Sequence, residues 1–173
     1  IKVKKFWGLL MTIHEYNDTV LTNDALNQLN CLVCGASRGI GRATAIALAK
    51  AGASVIAIAR NTEKLEFLLN ELNTISYGKH STYCVDLEDP ESIDIALDQI
   101  LDTNGQVHVL INNSGGPPSG SLLEVESTDF LKYFQRHLLA SHQLVKRLSP
   151  GMEEDGYGRI INVISTSVRE PIA

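Results

Sequence analysis

The 173-residue chain lacks several features that would point to a membrane, a metal or a nucleic acid. No stretch approaches the ~18 apolar residues of a membrane span, and no second pair accompanies Cys31 and Cys34 to complete a zinc site. The formal net charge is −5 without a long block of like charge, so nucleic acid is not expected as a partner. With 44% hydrophobic residues, the chain can build the core of one domain.

Cysteine is also scarce, since Cys31, Cys34 and Cys84 are the only three. Cys31 and Cys34 have the spacing of a redox or metal-binding pair. They lie in an apolar run typical of a β-strand, however, in which residues three apart point to opposite faces. We therefore expect reduced, partly buried thiols in a cytoplasmic protein rather than a functional pair.

Short β-branched runs alternate with longer helical patterns from about residue 29 onward. A strand followed by a helix, repeated four times, indicates crossover units that build a parallel sheet covered on both faces. We predict a three-layer, doubly wound α/β fold over residues 26–173. A polar leader over residues 1–25 precedes it, and residues 1–10 are suspected not to be the native start because Met11 follows them. The predicted strands cover 29–35, 53–60, 81–87, 107–113 and 159–165, and the predicted helices cover 40–51, 62–72, 90–101 and 127–148.

A glycine-rich turn carries the clearest chemical signal, with Gly35, Gly39 and Gly41 between an apolar strand and an amphipathic helix. Glycine permits a tight reversal, lets backbone amides approach a pyrophosphate, and lets the helix start pack close to the strand. The full strand, turn, helix and strand context favours a dinucleotide-binding turn over a purely structural one. A nucleotide-hydrolase P-loop is excluded because no Lys-Ser or Lys-Thr follows Gly41.

An acidic residue is missing about twenty residues beyond the glycines, where Asp or Glu would hold a ribose 2′-hydroxyl group. Ala59 occupies this position and Arg60 follows it. An acid would repel a 2′-phosphate, whereas Arg60 and Arg38 can pair with one. The predicted cofactor is therefore NADP(H), and the alternative is that both arginines are merely solvated.

Four motifs occur in order along the chain: Gly-x-x-x-Gly-x-Gly at 35–41, Cys-Val-Asp-Leu at 84–87, Asn-Asn-Ser-Gly at 112–115 and Gly-Arg-Ile-Ile-Asn-Val-Ile-Ser at 158–165. With this set the sequence resembles the short-chain dehydrogenase/reductase family, and within it the 3-oxoacyl-thioester reductase type. The resemblance implies a Rossmann sheet with strand order 3-2-1-4-5, followed in the family by further strands that this sequence lacks. It also implies an oxidoreductase that uses NADPH to reduce the carbonyl group of a small molecule to an alcohol.

The resemblance also implies roles for residues within these motifs. Asp86 and Leu87 are expected to contact the adenine, and residues 112–115 are expected to line the cofactor. Ser165, at the end of the fifth strand, matches the family's catalytic serine, which hydrogen-bonds the substrate carbonyl, and a slip of one or two residues stays open. The predicted cofactor-binding residues are Gly35, Ser37, Arg38, Gly39, Ile40, Gly41, Arg60, Asp86, Leu87, Asn112, Ser114 and Gly115, and no metal ligand is predicted.

The family's Tyr-x-x-x-Lys pair, in which a lysine lowers the pKa of the proton-donating tyrosine, is absent. None of the five tyrosines has a lysine four residues on, and the family position of the pair lies past Ala173. By ungapped count from Gly158, His137 occupies the position of an asparagine that supports a water relay in the family, and the alternative is an ordinary helix-face histidine. We therefore expect the amino-terminal part of a longer reductase, which is by itself poorly active.

Two other hypotheses stay open: a non-catalytic module that binds or senses NADPH, and a degraded fold kept as an interaction surface. The family usually forms dimers or tetramers through the helix over 127–148, so a homo-oligomer is expected for the full-length protein. Phe130, Phe134 and Leu138 begin an apolar stripe on that helix, which is typical of core packing. The fifth strand is expected to expose an apolar edge.

Overall fold

A computed structural model describes residues 24–116 and 122–165 of the chain. The predicted leader at 1–25 therefore lies outside the described residues except for positions 24 and 25. The two positions to which the catalytic-serine assignment could slip, 166 and 167, also lie outside them. A turn at 24–28 leads into the domain, and the Leu26 amide donates to the Ala51 carbonyl oxygen at 2.8 Å. Leu26, the first residue of the predicted domain, packs against the core.

Five parallel strands form one sheet in the order β3-β2-β1-β4-β5. Each crossover between consecutive strands contains a helix, as the alternating sequence pattern predicts. The doubly wound α/β class and the strand order are confirmed. The strands are β1 Asn30–Cys34, β2 Ser54–Ala59, β3 Ser81–Cys84, β4 Val109–Asn112 and β5 Arg159–Asn162.

Within the residues that the structure describes, five α-helices connect or follow these strands, and two of them begin with side-chain caps. Asn61 accepts from the Lys64 amide at 2.8 Å, and Asp89 accepts from the Glu91 amide at 3.0 Å ahead of Pro90. These caps satisfy amides that have no partner within the helix. The helices are α1 Gly39–Lys50, α2 Thr62–Ile75, α3 Pro90–Asn104, α4 Ser127–Phe134 and α5 Ala140–Glu154, with a short 3₁₀ turn at Leu122–Glu124.

The last predicted helix differs from the expected continuous element over 127–148. A π-helical turn at Gln135–Leu139 separates α4 from α5, and α5 continues past Pro150 to Glu154. The core-packing interpretation of its apolar stripe is wrong for the first half, because Phe130, Phe134 and Leu138 are each about half exposed.

The core consists of two apolar clusters, one on each face of the sheet. Cys31 and Val33 belong to the cluster beneath α1 and α2, whereas Leu32 and Cys34 belong to the cluster beneath α3 and α5. The two cysteines are thus on opposite faces, as predicted, and neither forms a disulfide. Burial raises the pKa of both thiols to about 12, which makes them unreactive near neutral pH.

Strand β5 forms one edge of the sheet within the described residues. Its four residues are exposed, including Ile160 and Ile161, and Val163 and Ile164 beyond it are exposed as well. The expected apolar edge is therefore present. Among the residues that the structure describes, no helix combines the length and apolar character needed to cross a membrane.

His80 links α2 to the sheet just before β3, and we predict that it makes stability pH-dependent. Its Nδ1 accepts from the Val55 amide at 3.1 Å, and its Nε2 lies 2.9 Å from Ser76 Oγ. Burial lowers the pKa of His80 below its ordinary value of 6.5, and a hydrogen bond with Ser76 partly opposes this. Because the unfolded chain then binds a proton more readily, stability is full above about pH 6.5 and falls as pH decreases.

Denaturant unfolding of His80→Gln at pH 7.5 and pH 5.5 should show a smaller acid-induced loss of stability than the wild type. His142→Gln, which changes an exposed histidine of α5, is the matched control and should retain the wild-type loss. An unchanged acid-induced loss in His80→Gln would contradict this role for the ring.

Candidate cofactor site

The glycine turn joins the carboxyl end of β1 to the start of α1 by direct backbone contact. Gly39 has φ +55°, a left-handed conformation that favours glycine. A Cβ on Gly41 would lie 2.3 Å from the Gly35 carbonyl oxygen, far inside the normal contact distance. The first turn of α1 can therefore pack directly on the end of the strand only because residue 41 has no side chain.

Two neighbouring asparagines at the end of β4 have different partners. The Asn113 side-chain amide donates to the carbonyl oxygens of Cys34, at 3.1 Å, and Gly35, at 3.5 Å, which braces the glycine turn. Asn112 is buried, and its Nδ2 donates to Asn162 Oδ1 on β5 at 2.8 Å. Its own Oδ1 has no hydrogen-bond partner among the described residues. Asn113 was predicted only as part of the cofactor-lining loop, and its hydrogen bonds to the glycine turn were not predicted.

A cavity of about 360 Å³ opens at the carboxyl ends of the strands, where ligands of parallel α/β sheets bind. Eight predicted cofactor residues line it: Gly35, Ser37, Arg38, Arg60, Asp86, Leu87, Ser114 and Gly115. Four predicted residues are not in its lining: Gly39, Ile40, Gly41 and Asn112. Ala59, which the sequence places at the ribose position, lines the cavity as well. Five further lining residues were not predicted from the sequence: Ile58, Asn61, Lys64, Val85 and Arg136.

The cavity is lined by several cations although the chain as a whole is acidic. Arg38, Arg60 and Lys64 line it, and the side chains of Arg38 and Lys64 have no ion pair or hydrogen bond among the described residues. Arg60 is 63% exposed, and its Nη1 lies 3.9 Å from Glu88 Oε1. Lys64 could have been found from the sequence, because it lies four residues beyond Arg60 in the first turn of α2.

The loop after β3 places the predicted adenine residues against the cavity. Asp86 Oδ1 accepts from the Glu88 amide at 3.0 Å, and the Asp86 amide donates to Ser92 Oγ at 3.2 Å. The second carboxylate oxygen of Asp86 has no hydrogen bond among the described residues and can accept one. Leu87 both lines the cavity and packs against the core.

The π-helical turn holds two consecutive residues against the loop after β4. Ser114 Oγ lies 2.6 Å from His137 Nδ1, and Arg136 Nη1 donates to the Gly115 carbonyl oxygen at 3.1 Å. Burial and the neighbouring Arg136 charge lower the pKa of His137, while a hydrogen bond with Gly115 opposes them. A π turn inside an α-helix frequently marks a functional site.

Ser165, the predicted catalytic serine, lies beyond the strand that was expected to end with it. Strand β5 ends at Asn162, although the Val163 amide still donates to the Asn112 carbonyl oxygen at 2.9 Å. Ser165 is exposed and does not line the cavity. Its catalytic role stays a prediction.

A glycine turn at the carboxyl edge of a parallel sheet, with a basic cavity beside it, defines a dinucleotide-binding α/β domain. In the described part of the chain, no group of three or more His, Cys, Asp or Glu residues could hold a metal ion. The family model of the short chain dehydrogenases matches residues 30–173. The chain therefore belongs to the short-chain dehydrogenase family of oxidoreductases, which use a nicotinamide cofactor.

Known proteins support this assignment. An uncharacterized oxidoreductase of Mycobacterium bovis is 37% identical over 151 residues, covering 85% of this chain and 44% of the relative. A 3-oxoacyl-acyl-carrier-protein reductase of Vibrio cholerae is 34% identical over 132 residues, covering 76% and 52%. The crystal structure of L-sorbose reductase from Gluconobacter frateurii, complexed with NADPH and L-sorbose, superposes with a TM-score of 0.82 at 26% identity, covering 87% and 57%. The chain spans about half the length of the curated relatives it matches.

Gly41→Ala should disrupt the turn and weaken binding of a nicotinamide dinucleotide. The added Cβ meets a backbone carbonyl rather than a flexible side chain, so the helix must move, at a cost of about 1–3 kcal/mol of stability. Gly116→Ala is the control, because a Cβ there has nothing within 4 Å. Thermal unfolding and dinucleotide titration measure both effects, and wild-type values for Gly41→Ala would contradict the proposed packing.

Proposed function

We propose that this chain is the cofactor-binding part of an NADPH-dependent reductase that converts a carbonyl compound to an alcohol. The observation that carries the proposal is the basic cavity around Ala59, where Arg38, Arg60 and Lys64 replace an acidic ribose ligand. The NADPH in the L-sorbose reductase structure supports the same cofactor.

The cavity residues fit the parts of NADPH. The three cations suit the 2′-phosphate, and the uncommitted oxygen of Asp86 can accept a hydrogen bond from the adenine amine. The start of α1, with its unpaired amides and its glycine cradle, suits the pyrophosphate. Ser114 and Gly115 would then lie towards the nicotinamide, which supplies a hydride to the substrate carbonyl.

Reduction of a carbonyl also needs a proton at the oxygen. Ser165 would donate a hydrogen bond to that oxygen, but the family's Tyr-x-x-x-Lys pair is absent from the 173 residues. A general acid commonly contributes about 10²–10⁴-fold to the rate. We therefore infer that this chain positions the cofactor and that it is a poor catalyst by itself.

The substrate and the assembly are also proposals. A 3-oxoacyl thioester and a ketose are the two carbonyl classes that the similar reductases suggest. The exposed apolar side chains of Phe130 and Phe134 in α4 and of Leu138 in the π-helical turn support a homo-oligomer of the full-length protein. A cytoplasmic location is also proposed.

A non-catalytic NADPH-binding module is the second candidate function. The absence of the Tyr-x-x-x-Lys pair favours it, since such a module needs only the cofactor cavity. Both candidates bind NADPH, and only the reductase turns over a carbonyl when the protein is expressed from its complete reading frame.

Ala59→Asp should reverse the cofactor preference. A carboxylate here repels a 2′-phosphate and can bond the two ribose hydroxyls of NADH, so NADPH affinity should fall about tenfold or more relative to NADH. Ala59→Asn is the matched control, because it adds the same bulk without charge. Fluorescence titration with both cofactors measures the ratio. Tighter NADH binding by the wild type, or an unchanged ratio in Ala59→Asp, would refute NADPH specificity.

The 173-residue chain should bind NADPH without oxidising it at ordinary enzyme rates. NADPH consumption is followed with 3-oxoacyl thioesters and ketoses, using the product of the complete reading frame in parallel. Turnover only by the complete product supports the reductase. Rapid turnover by the 173-residue chain would contradict the proposal that it lacks the proton-donating residue. No turnover by the 173-residue chain or by the complete product would favour the non-catalytic module.

A further inference from the structure

An acidic side chain lies beside the basic cavity and is shared by two arginines. Glu88 Oε1 forms a hydrogen-bonded ion pair with Arg136 Nη2 and lies 3.9 Å from Arg60 Nη1. The proposed phosphate ligand Arg60 is thus next to a carboxylate that competes for it. Neither Glu88 nor Arg136 belongs to the glycine turn or to the ribose position from which NADPH was predicted.

The two arginines differ in how firmly they are held. Arg136 is only 17% exposed, stacks 5.1 Å from the centre of the Tyr133 ring, and donates to the Gly115 carbonyl oxygen as well as to Glu88. Arg60 is 63% exposed, and its guanidinium has no partner among the described residues besides Glu88. A partly buried, preorganised pair is stronger than a solvent-screened one, so Glu88 remains with Arg136.

The pKa of Glu88 agrees with its pairing to Arg136 rather than to Arg60. Its hydrogen bond with Arg136 is the largest cause that lowers the pKa of Glu88, whereas Arg60 contributes less. Glu88 is therefore ionised near neutral pH. Without Arg136, this carboxylate would pair with the arginine that the 2′-phosphate needs and would repel the phosphate directly.

We propose that Arg136 sets the preference for a 2′-phosphorylated cofactor by binding Glu88, which keeps the Arg60 guanidinium available for the phosphate. Arg136 is a positioning residue in this scheme, since its Nη2 binds Glu88 and its Nη1 donates to the Gly115 carbonyl oxygen. The inference rests on the proposed NADPH function and extends it to a residue from the π-helical turn.

A double-mutant cycle in the 173-residue chain tests the proposal. Adenosine 2′,5′-bisphosphate and 5′-AMP are titrated by calorimetry into the wild type, Arg136→Met, Glu88→Gln and the double variant, and the ratio of their affinities isolates the 2′-phosphate. Arg136→Met should lower this ratio about tenfold in the wild-type background. With Glu88→Gln already present, the same substitution should change the ratio by less than about threefold, because no carboxylate remains to occupy Arg60.

Lys132→Met is the matched control for charge. Lys132 lies on α4 one turn before Arg136, pairs with Asp129 at 3.2 Å, and does not line the cavity. Lys132 also lowers the pKa of Glu88, but it contributes least among the cations around that carboxylate, and its side chain is 57% exposed. Its removal should therefore leave the affinity ratio within about twofold of the wild type, because a solvent-exposed charge is strongly screened.

The possible results separate the alternatives. An equal loss of the ratio in both backgrounds would overturn the proposal, because Arg136 would then act on the phosphate without Glu88. Equal weakening of both ligands by Arg136→Met would also overturn it and would assign Arg136 to the Gly115 loop alone. A wild type that does not favour the 2′,5′-bisphosphate refutes NADPH specificity and this inference together, whereas a discriminating wild type without coupling refutes only the inference.

If Arg136→Met shows no cooperative unfolding transition and is therefore not folded, Glu88→Gln alone tests the proposal. Glutamine has nearly the same shape as glutamate and removes the charge. Because Arg136 already holds Glu88 in the wild type, the affinity ratio should stay within about threefold of the wild-type value. A rise of about tenfold or more would show that Glu88 occupies Arg60 despite Arg136, and a fall of about tenfold would show that Glu88 itself supports phosphate binding; either result would overturn the proposal.

Discussion

Gly41 and Gly35 bring the start of α1 and the end of β1 into backbone contact, since a Cβ on Gly41 would lie 2.3 Å from the Gly35 carbonyl oxygen. The side chain of Asn113 donates to the same turn from the end of β4. This contact fixes the opening between β1 and β4, where the strand order reverses and where ligands of doubly wound sheets bind. The cavity, its cations and the loop with Ser114 all take their positions from it.

Charge at this opening is arranged locally rather than by the composition of the chain. The formal net charge is −5, yet Arg38, Arg60 and Lys64 all line the cavity. Glu88 lies next to Arg60, and Arg136 binds Glu88 from the π-helical turn. Arg60 can thus remain available in an acidic domain because the adjacent carboxylate has a partly buried partner.

The parallel sheet and the glycine turn could be predicted because each is encoded by neighbouring residues, whereas the strand order came from the family resemblance. Alternating β-branched runs and helical periods specify the crossovers. The Arg136–Glu88 pair joins residues 48 positions apart, so no local pattern reveals it. The π turn at Gln135–Leu139 and the exposure of Phe130 depend on tertiary packing, which periodicity does not report. Likewise, neighbouring asparagines look equivalent in the sequence, whereas Asn112 bonds β5 and Asn113 bonds the turn.

A crystal structure of the chain with NADPH tests the central claim most directly, because it locates the 2′-phosphate relative to the cations. The account predicts this phosphate within hydrogen-bond distance of the Arg60 guanidinium, with Glu88 still paired to Arg136. An NADPH whose 2′-phosphate points into solvent, while Arg60 is paired with Glu88, would contradict it.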